Sequence, residues 1–529
     1  MSAVVESVAA VLTEGGKVAS LAQPASSRST DPAGDADIGW VASLRSVRTP
    51  LLMWAGLVAA AIVVGLPLRV QAKVGAPPLT GRLAEPFLPM VPLVLAIGLW
   101  LARRVPRWCA SLSWRRLLLV AALLALGWGV ALALVRGPSG LDRGLSTRFE
   151  YPAVVEQVDR VGVGPFIDTF TDPEVLAGYP IHVQGHPLGA ALTFVGLDRV
   201  GLGGTIGGSA FLLVVGATTV PAVLITMREV AGERRARQGA PFLILAPALI
   251  WTVTSADALY AAVGAWAVAL VVLATGDHRS PSQRIFMGVS GGMLFGLGIH
   301  LSYGLPPLVL VPVAVAVARR RWSVLGWAAL GGAAMVAAWS AAGFWWFDGL
   351  AATRARYVAG VATRRPYAYF ALLGNPAAVA VALGPAVAVA FARVRDRRLW
   401  VLAGGALAAM AAADLSGLSK GEVERIWLPF VPWVLVLCAG LADRAVSTPV
   451  RSLRSATTVE LLGPPREKPD AQPRSSGSPS NFWVQRVKNP TLSPEVRWAS
   501  APWSSLAGHL LVAQVVVAVL AESVVRTLW

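Results

Sequence analysis

About thirteen apolar stretches follow one another along this chain, at 51–68, 86–102, 117–136, 203–226, 241–254, 258–274, 285–301, 304–318, 322–343, 371–393, 399–414, 426–442 and 506–526. A hydrocarbon core takes ~20 residues of helix to cross, and backbone placed in lipid must satisfy its hydrogen bonds internally. A chain patterned in this way folds as an all-α, polytopic transmembrane helical bundle. The mean hydropathy of +0.61 agrees, as does a charged fraction of 14% in 529 residues, because soluble domains run near ~25% charged. Several stretches fall short of a full span, so their ends are expected to extend into loops or their helices to be sheltered by neighbours.

Charge then sets the topology. The excess of 46 Lys+Arg over 29 Asp+Glu lies in short loops, where it marks the cytoplasmic side and does not call for nucleic acid. The basic clusters sit at 45–48, 103–116, 228–238, 278–284, 319–321, 393–398 and in 443–505. With thirteen spans they all fall on one side, which leaves the N-terminus cytoplasmic and the C-terminus external. Cys109 and Cys438 are the only cysteines, one in a basic loop and one in an apolar span. That excludes a disulfide framework and a Cys-rich metal site.

The chain therefore divides into a disordered cytoplasmic tail over 1–50, two helices with a basic loop over 51–116, a transmembrane core over 117–442, a Ser/Pro/Arg-rich disordered cytoplasmic loop over 443–505, and a final helix over 506–529. The run "GGAAMVAA" (331–338) suits close helix packing in lipid.

Polar residues crowd the face opposite the basic loops. The 137–202 segment is the longest external stretch. Its "FEYPAVVEQVDRVG" predicts a helix with Phe149, Val154, Val158 and Val161 on one face. Its "GHPLGAALTFVGLDRVGLG" is too short to span and predicts a helix lying at the interface or partly re-entrant. The same face receives Asp257 in "TSADALY", His300 and Tyr303 in "HLSYG", the Arg/Tyr-rich 344–370 loop, and "DLSGLSKGEVERIW" (414–427). Two histidines, His182 and His186, stand just before an apolar helix in a chain with five. Gly185 and Pro187 argue against a zinc pair on one regular helix.

An acidic residue beside an aromatic at the head of the first long loop ("RFEYPAVVEQV"), "HPLG" some thirty-five residues later, "TSADALY" and "ERIWLPFVPW" together resemble the GT-C superfamily of polyprenyl-phosphate-sugar-dependent membrane glycosyltransferases. That superfamily includes protein O-mannosyltransferases, aminoarabinose transferases and actinobacterial arabinofuranosyl- and mannosyltransferases. The resemblance covers about 117–442, and Leu188 departs from the H/K-P-P pattern by replacing its second proline. It implies a GT-C-type fold and inverting transfer from a polyprenyl-phosphate sugar to an envelope glycan or glycolipid. It implies Glu150 as the base, with Asp142 as substitute. Arg425, Lys420, Arg364, Arg365 and His186 would hold the donor phosphate and lipid head, and His182, Asp257, His300, Tyr303, Tyr367, Glu422 and Glu424 would line the substrate. No cofactor is implied with certainty, and a divalent cation near Glu422 and Glu424 is left open. Membrane lipid and the lipid-linked donor are the expected partners, at a plasma membrane with the site facing outward. The Ala/Val/Gly/Arg-rich composition suggests a GC-rich bacterium such as an actinomycete.

Two other classes stay open. A lipid-linked sugar flippase or transporter also carries polar groups at membrane depth, but should place them on both sides or in two matching halves. A non-catalytic scaffold in envelope assembly would explain only the 443–505 loop.

Overall fold

A computed structural model describes residues 32–83, 88–253, 255–442 and 506–527. The chain forms two units, Met1–Thr49 and Pro50–Trp529, and the helical bundle and its site belong to the second. The expected 443–505 loop lies outside the described residues. Of the tail expected over 1–50, residues 1–31 lie outside the described residues, and the first described helix runs Pro32–Leu68.

Among the described residues eight helices are long and apolar enough to cross a membrane: Val47–Leu68, Trp114–Arg136, Gly204–Ala231, Asp257–Ala274, Pro281–Leu301, Trp322–Ala341, Arg397–Leu415 and Leu506–Val524. Of the remaining apolar stretches, 86–102 lies mostly in Val91–Ser111, a full-length helix that carries Arg103, Arg104 and Arg107, and the others are helical but short or broken. Pro306–Ala318 and Val431–Ala442 are short apolar helices. Between Asn375–Leu383 and Pro385–Arg393 the chain turns at Gly384, which has φ +74°. Interruptions of this kind are tolerated where neighbouring helices cover the backbone. Against the expectation of about thirteen spans, eight helices among the described residues, or nine with the bent pair 346–364 and 367–383, are long and apolar enough to span.

Local chemistry explains the helix limits. Ser280 and Gln283 form a capping box at the start of Pro281–Leu301, satisfying donors that the first turn leaves open. Asp396 accepts from the Arg398 backbone at 3.1 Å at the start of Arg397–Leu415. Close approach between helices depends on small residues. A Cβ on Gly292 would lie 1.9 Å from the Ala328 carbonyl oxygen, and one on Gly331 would lie 2.1 Å from that of Val289. These contacts join Pro281–Leu301 to Trp322–Ala341, and the predicted small-residue run is the reason they can form.

Asp257–Ala274 sits at the centre of the bundle, packed by Thr219–Ala231 and Pro281–Leu301. The basic loops meet at one end of the bundle. Arg237 donates to the carbonyls of Cys109 and Leu112, each at 2.8 Å. Arg235 pairs with Asp396 at 3.0 Å, and Arg319 with Glu229 at 3.0 Å. The clusters at 103–116, 228–238, 319–321 and 393–398 are thus linked side chain to backbone or carboxylate.

The architecture is the expected all-α polytopic bundle, with one short strand pair added at its margin: β1 (Gly81–Leu83) runs antiparallel to β2 (Val525–Thr527). One finer expectation needs correction. The segment after Glu150 is a 3-10 turn, Tyr151–Val154, followed by a helix of seven residues, Val155–Val161. Val154 and Val158 are buried while Phe149 and Val161 are exposed, since Pro152 breaks the single helical face that four apolar positions would share. The second helix, Val91–Ser111, and the final helix, Leu506–Val524, pack against each other and are as much part of the bundle as the core stretch.

Candidate active site

Glu150 precedes the Tyr151–Val154 turn with an extended backbone. Tyr151 anchors that turn by stacking on Phe194, with centroids 5.2 Å apart and planes 8° apart. Phe194 belongs to Leu188–Arg199, the helix predicted from "HPLG". Immediately before it, His182 lies in the short helix Ile181–Gly185, and His186 is extended between the two helices. The two histidines therefore do not share a regular helix, in line with the Gly/Pro argument. The backbone N–H of His182 donates to the Phe149 carbonyl at 3.1 Å, which brings the imidazole to Glu150. Glu150 Oε1 stands 2.7 Å from His182 Nδ1, with both side chains nearly sealed.

A second strand of charge enters from the far end of the chain. Gly421 and Glu422 both take left-handed backbone, at φ +83° and +65°. For a non-glycine residue that conformation is uncommon and gathers at functional sites. A side chain at 421 would also press on Phe370 and Arg365. The turn is held by Asn375, whose Oδ1 accepts from the Gly421 N–H at 3.0 Å and whose Nδ2 donates to the Ser419 carbonyl at 2.6 Å. It aims Glu422 between two guanidiniums. Glu422 Oε1 lies 3.0 Å from Arg365, and Oε2 lies 3.1 Å from Arg425. Arg425 continues to Asp257 Oδ2 at 2.8 Å, and Asp257 also accepts from the Ser255 hydroxyl at 2.5 Å. The result is a buried alternation of Arg365, Glu422, Arg425 and Asp257. The Tyr260 hydroxyl, 2.9 Å from that of Tyr151, links this row to the Glu150 side.

Electrostatics follow from burial and neighbours. For Arg425 burial alone would lower proton affinity, but Asp257 and Glu422 more than reverse it, so the guanidinium stays charged. Burial works against ionised Glu422, yet Arg365 and Arg425 hold it below the usual carboxylate range. His186 is pushed down to about 4 by burial, opposed by Asp257. It is therefore a neutral imidazole at neutral pH, set against the rings of Tyr260 and Tyr151 with centroids 5.3 and 6.1 Å away. Its Nδ1 is enclosed without a hydrogen-bond partner. Glu424 faces away from this row, accepts from the Thr80 N–H at 2.7 Å, and is raised by burial to about 7.

Of the residues singled out in the sequence, Glu150, His182, His186, Asp257, Glu422, Arg425 and Arg365 come together. Lys420 stands at the rim, its Nζ donating to the Ala362 carbonyl at 2.9 Å. Arg364 is exposed beside it. The others have different work. Asp142 accepts from Thr205 at 3.0 Å, apart from the Glu150 contacts. His300 stacks on Trp339 and has its Nδ1 2.7 Å from the Gly296 carbonyl. Tyr303 packs edge-on against Trp346, and Tyr367 is exposed with its hydroxyl on the Leu415 carbonyl. Among the described residues no three His, Cys, Asp or Glu side chains gather as a metal site; Glu422 is committed to guanidiniums and Glu424 points elsewhere.

Sequence reasoning missed the segment Arg69–Leu83. The Ala72 carbonyl accepts from Arg365 Nε at 3.0 Å, and the Thr80 N–H holds Glu424. The segment carries neither a motif nor a charge cluster that would have marked it. Tyr151, Ser255 and Tyr260 were also unassigned, although Tyr151 lies in "RFEYPAVVEQV" and the other two in "TSADALY".

No protein-family model matches the chain, and no curated protein sequence matches it. Among solved structures, the crystal structure of ArnT from Cupriavidus metallidurans in the apo state is similar over 61% of this chain and 59% of its own, at 18% identity and a TM-score of 0.39. This chain thus spans well under two thirds of that protein's length.

Proposed function

We propose that this chain is a GT-C-type glycosyltransferase that moves a sugar, with inversion, from a polyprenyl-phosphate donor to a glycan or glycolipid of the bacterial envelope at the outer face of the plasma membrane. The observation that carries the reading is the buried charge row itself. At one end of a largely apolar bundle Asp257, Arg365 and Arg425 are buried and Glu422 nearly so in one row of ion pairs, with the buried Glu150 beside it. Uncompensated, such burial would cost several kcal/mol per ion, and polar groups at that depth mark function by default.

The reaction has simple requirements. The acceptor hydroxyl loses its proton to Glu150, and its oxygen forms a bond to the anomeric carbon. The bond from that carbon to the phosphate oxygen breaks, and its electron pair leaves on the phosphate. Glu150 is the base because it is the carboxylate of the array not engaged by a guanidinium contact in the row. Arg425 and Arg365 are already balanced by carboxylates, so they act as a fixed field that favours charge developing on the leaving group. Lys420 and Arg364 supply direct contacts to the phosphate from the rim, and the neutral His186 supplies one from within.

A panel of radiolabelled polyprenyl-phosphate sugars, offered to the purified protein with membrane-extracted acceptors, tests this reading. Transfer by wild type with loss in Glu150→Gln and retained donor binding is expected. No transfer from any donor, with movement of the lipid-linked sugar between leaflets instead, would turn the assignment to a flippase.

A further inference from the structure

The contact between Glu150 and His182 has no counterpart elsewhere in the charge row. Each guanidinium in the row is met by a carboxylate, whereas Glu150 is met by an imidazole at 2.7 Å, side chains 5% and 10% exposed respectively. At that separation the edge of the imidazole fixes where the carboxylate oxygen can sit. The placement is also built twice over. The His182 N–H is tied to the Phe149 carbonyl at 3.1 Å, and the turn after His182 is fixed by the Gln184 carbonyl, which accepts from Thr353 at 3.3 Å. Charge count points the same way: Asp257, Glu422 and Glu150 face Arg365 and Arg425, which leaves one carboxylate in excess, and His182 is the group in contact with it.

We propose that Glu150 and His182 act as one unit, in which His182 is a positioning residue that holds the carboxylate in place through the close contact of Nδ1 with Oε1. The inference rests on the glycosyl-transfer reading. In that reaction the acceptor's proton arrives on Glu150, and no other proton is gained or lost. His182 keeps the base oriented toward the acceptor, as a neighbouring side chain orients the reacting group in other acid–base sites.

Residues that act as a unit are non-additive when removed, and a double-variant cycle reads this directly. Glu150→Gln and His182→Ala are each expected to lower kcat by roughly 10²–10⁴ with donor Kd little changed. The Glu150→Gln/His182→Ala double variant should be no slower than the worse single one. His182→Asn, which keeps an amide donor near the Nδ1 position, should recover part of the loss and carries the test if His182→Ala fails to fold. Losses that multiply in the double variant, or a His182→Asn as slow as His182→Ala, overturn the pairing while leaving the glycosyl-transfer reading intact. A folded wild type that binds donor and transfers to no acceptor overturns both.

Discussion

Replacing Arg425 by alanine should destabilise the protein more than almost any other single change at the site. The guanidinium is 6% exposed and holds Asp257, itself 1% exposed, at 2.8 Å. It also holds Glu422 at 3.1 Å. Truncation leaves Asp257 with only the Ser255 hydroxyl, whereas Glu422 keeps Arg365 at 3.0 Å. The loss is thus one unpaired buried carboxylate and one weakened pair. Breaking a buried ion pair from one side costs about 3–5 kcal/mol, because the charge left behind is no longer compensated. Asp257→Asn in the same background removes that stranded charge, so Asp257→Asn/Arg425→Ala should lose about 1–3 kcal/mol less than the two single changes added together. Denaturant unfolding in detergent, followed by tryptophan fluorescence, reports on each of these variants. If Arg425→Ala lies within about 1 kcal/mol of wild type, or the double variant is simply additive, the row is not a mutually dependent array and its claim to be a built site fails.

Glu424, raised by burial to about 7, is protonated more readily in the folded than in the unfolded protein, whose ordinary value is near ~4.3. Its contribution is therefore fully present below pH ~4 and is lost as pH rises through about 7. Glu424→Gln should flatten that decline in a melting-temperature profile, and an unchanged slope refutes the shift. His186, lowered to about 4, works in the opposite sense. Its stabilisation is present above ~6.5 and lost as pH falls toward ~4, so His186→Gln should gain relative stability at acid pH, and equal profiles would discard it. Gly292→Leu should disrupt the Pro281–Leu301 and Trp322–Ala341 contact, where even a Cβ would meet the Ala328 carbonyl at 1.9 Å. A destabilisation of about 1–3 kcal/mol is expected from such overpacking, and a neutral result would mean the helices are free to part. Cysteines introduced at exposed Ser146 and Ser282, above a background of buried Cys109 and Cys438, should label from opposite sides of the membrane, and labelling from one side refutes the topology.

The parts of this fold that were legible in the sequence are those set by one-dimensional rules. Apolar length located the helices, because lipid gives a fixed thickness to be matched. The basic clusters at 103–116, 228–238, 319–321 and 393–398 meet through side-chain contacts, as expected if each loop obeys the same electrostatic preference independently. Glu150, His182, Asp257 and Arg425 were legible because charged residues are scarce in such a chain, so each one kept close to an apolar span needs a reason. Pairing was not legible. Nothing in "RFEY" or "IHVQGH" states that Glu150 meets His182, since their contact depends on the Phe149 carbonyl receiving the His182 N–H from a distant part of the same loop.

The segment Arg69–Leu83 shows the same limit more sharply. What it gives the site is backbone: the Ala72 carbonyl to Arg365 and the Thr80 N–H to Glu424. Every residue type but proline carries both groups, so composition cannot mark the positions that use them. The segment is then held by β1 pairing with β2 at the far end of the chain, and by Tyr369 and Phe370 packing against Ala72 and Val74. A charge row that must stay dry needs its last polar contacts from backbone that neither titrates nor moves with its own rotamers. For that reason the stretch between the first two helices, with no motif of its own, completes a site whose every charged member could be named from sequence.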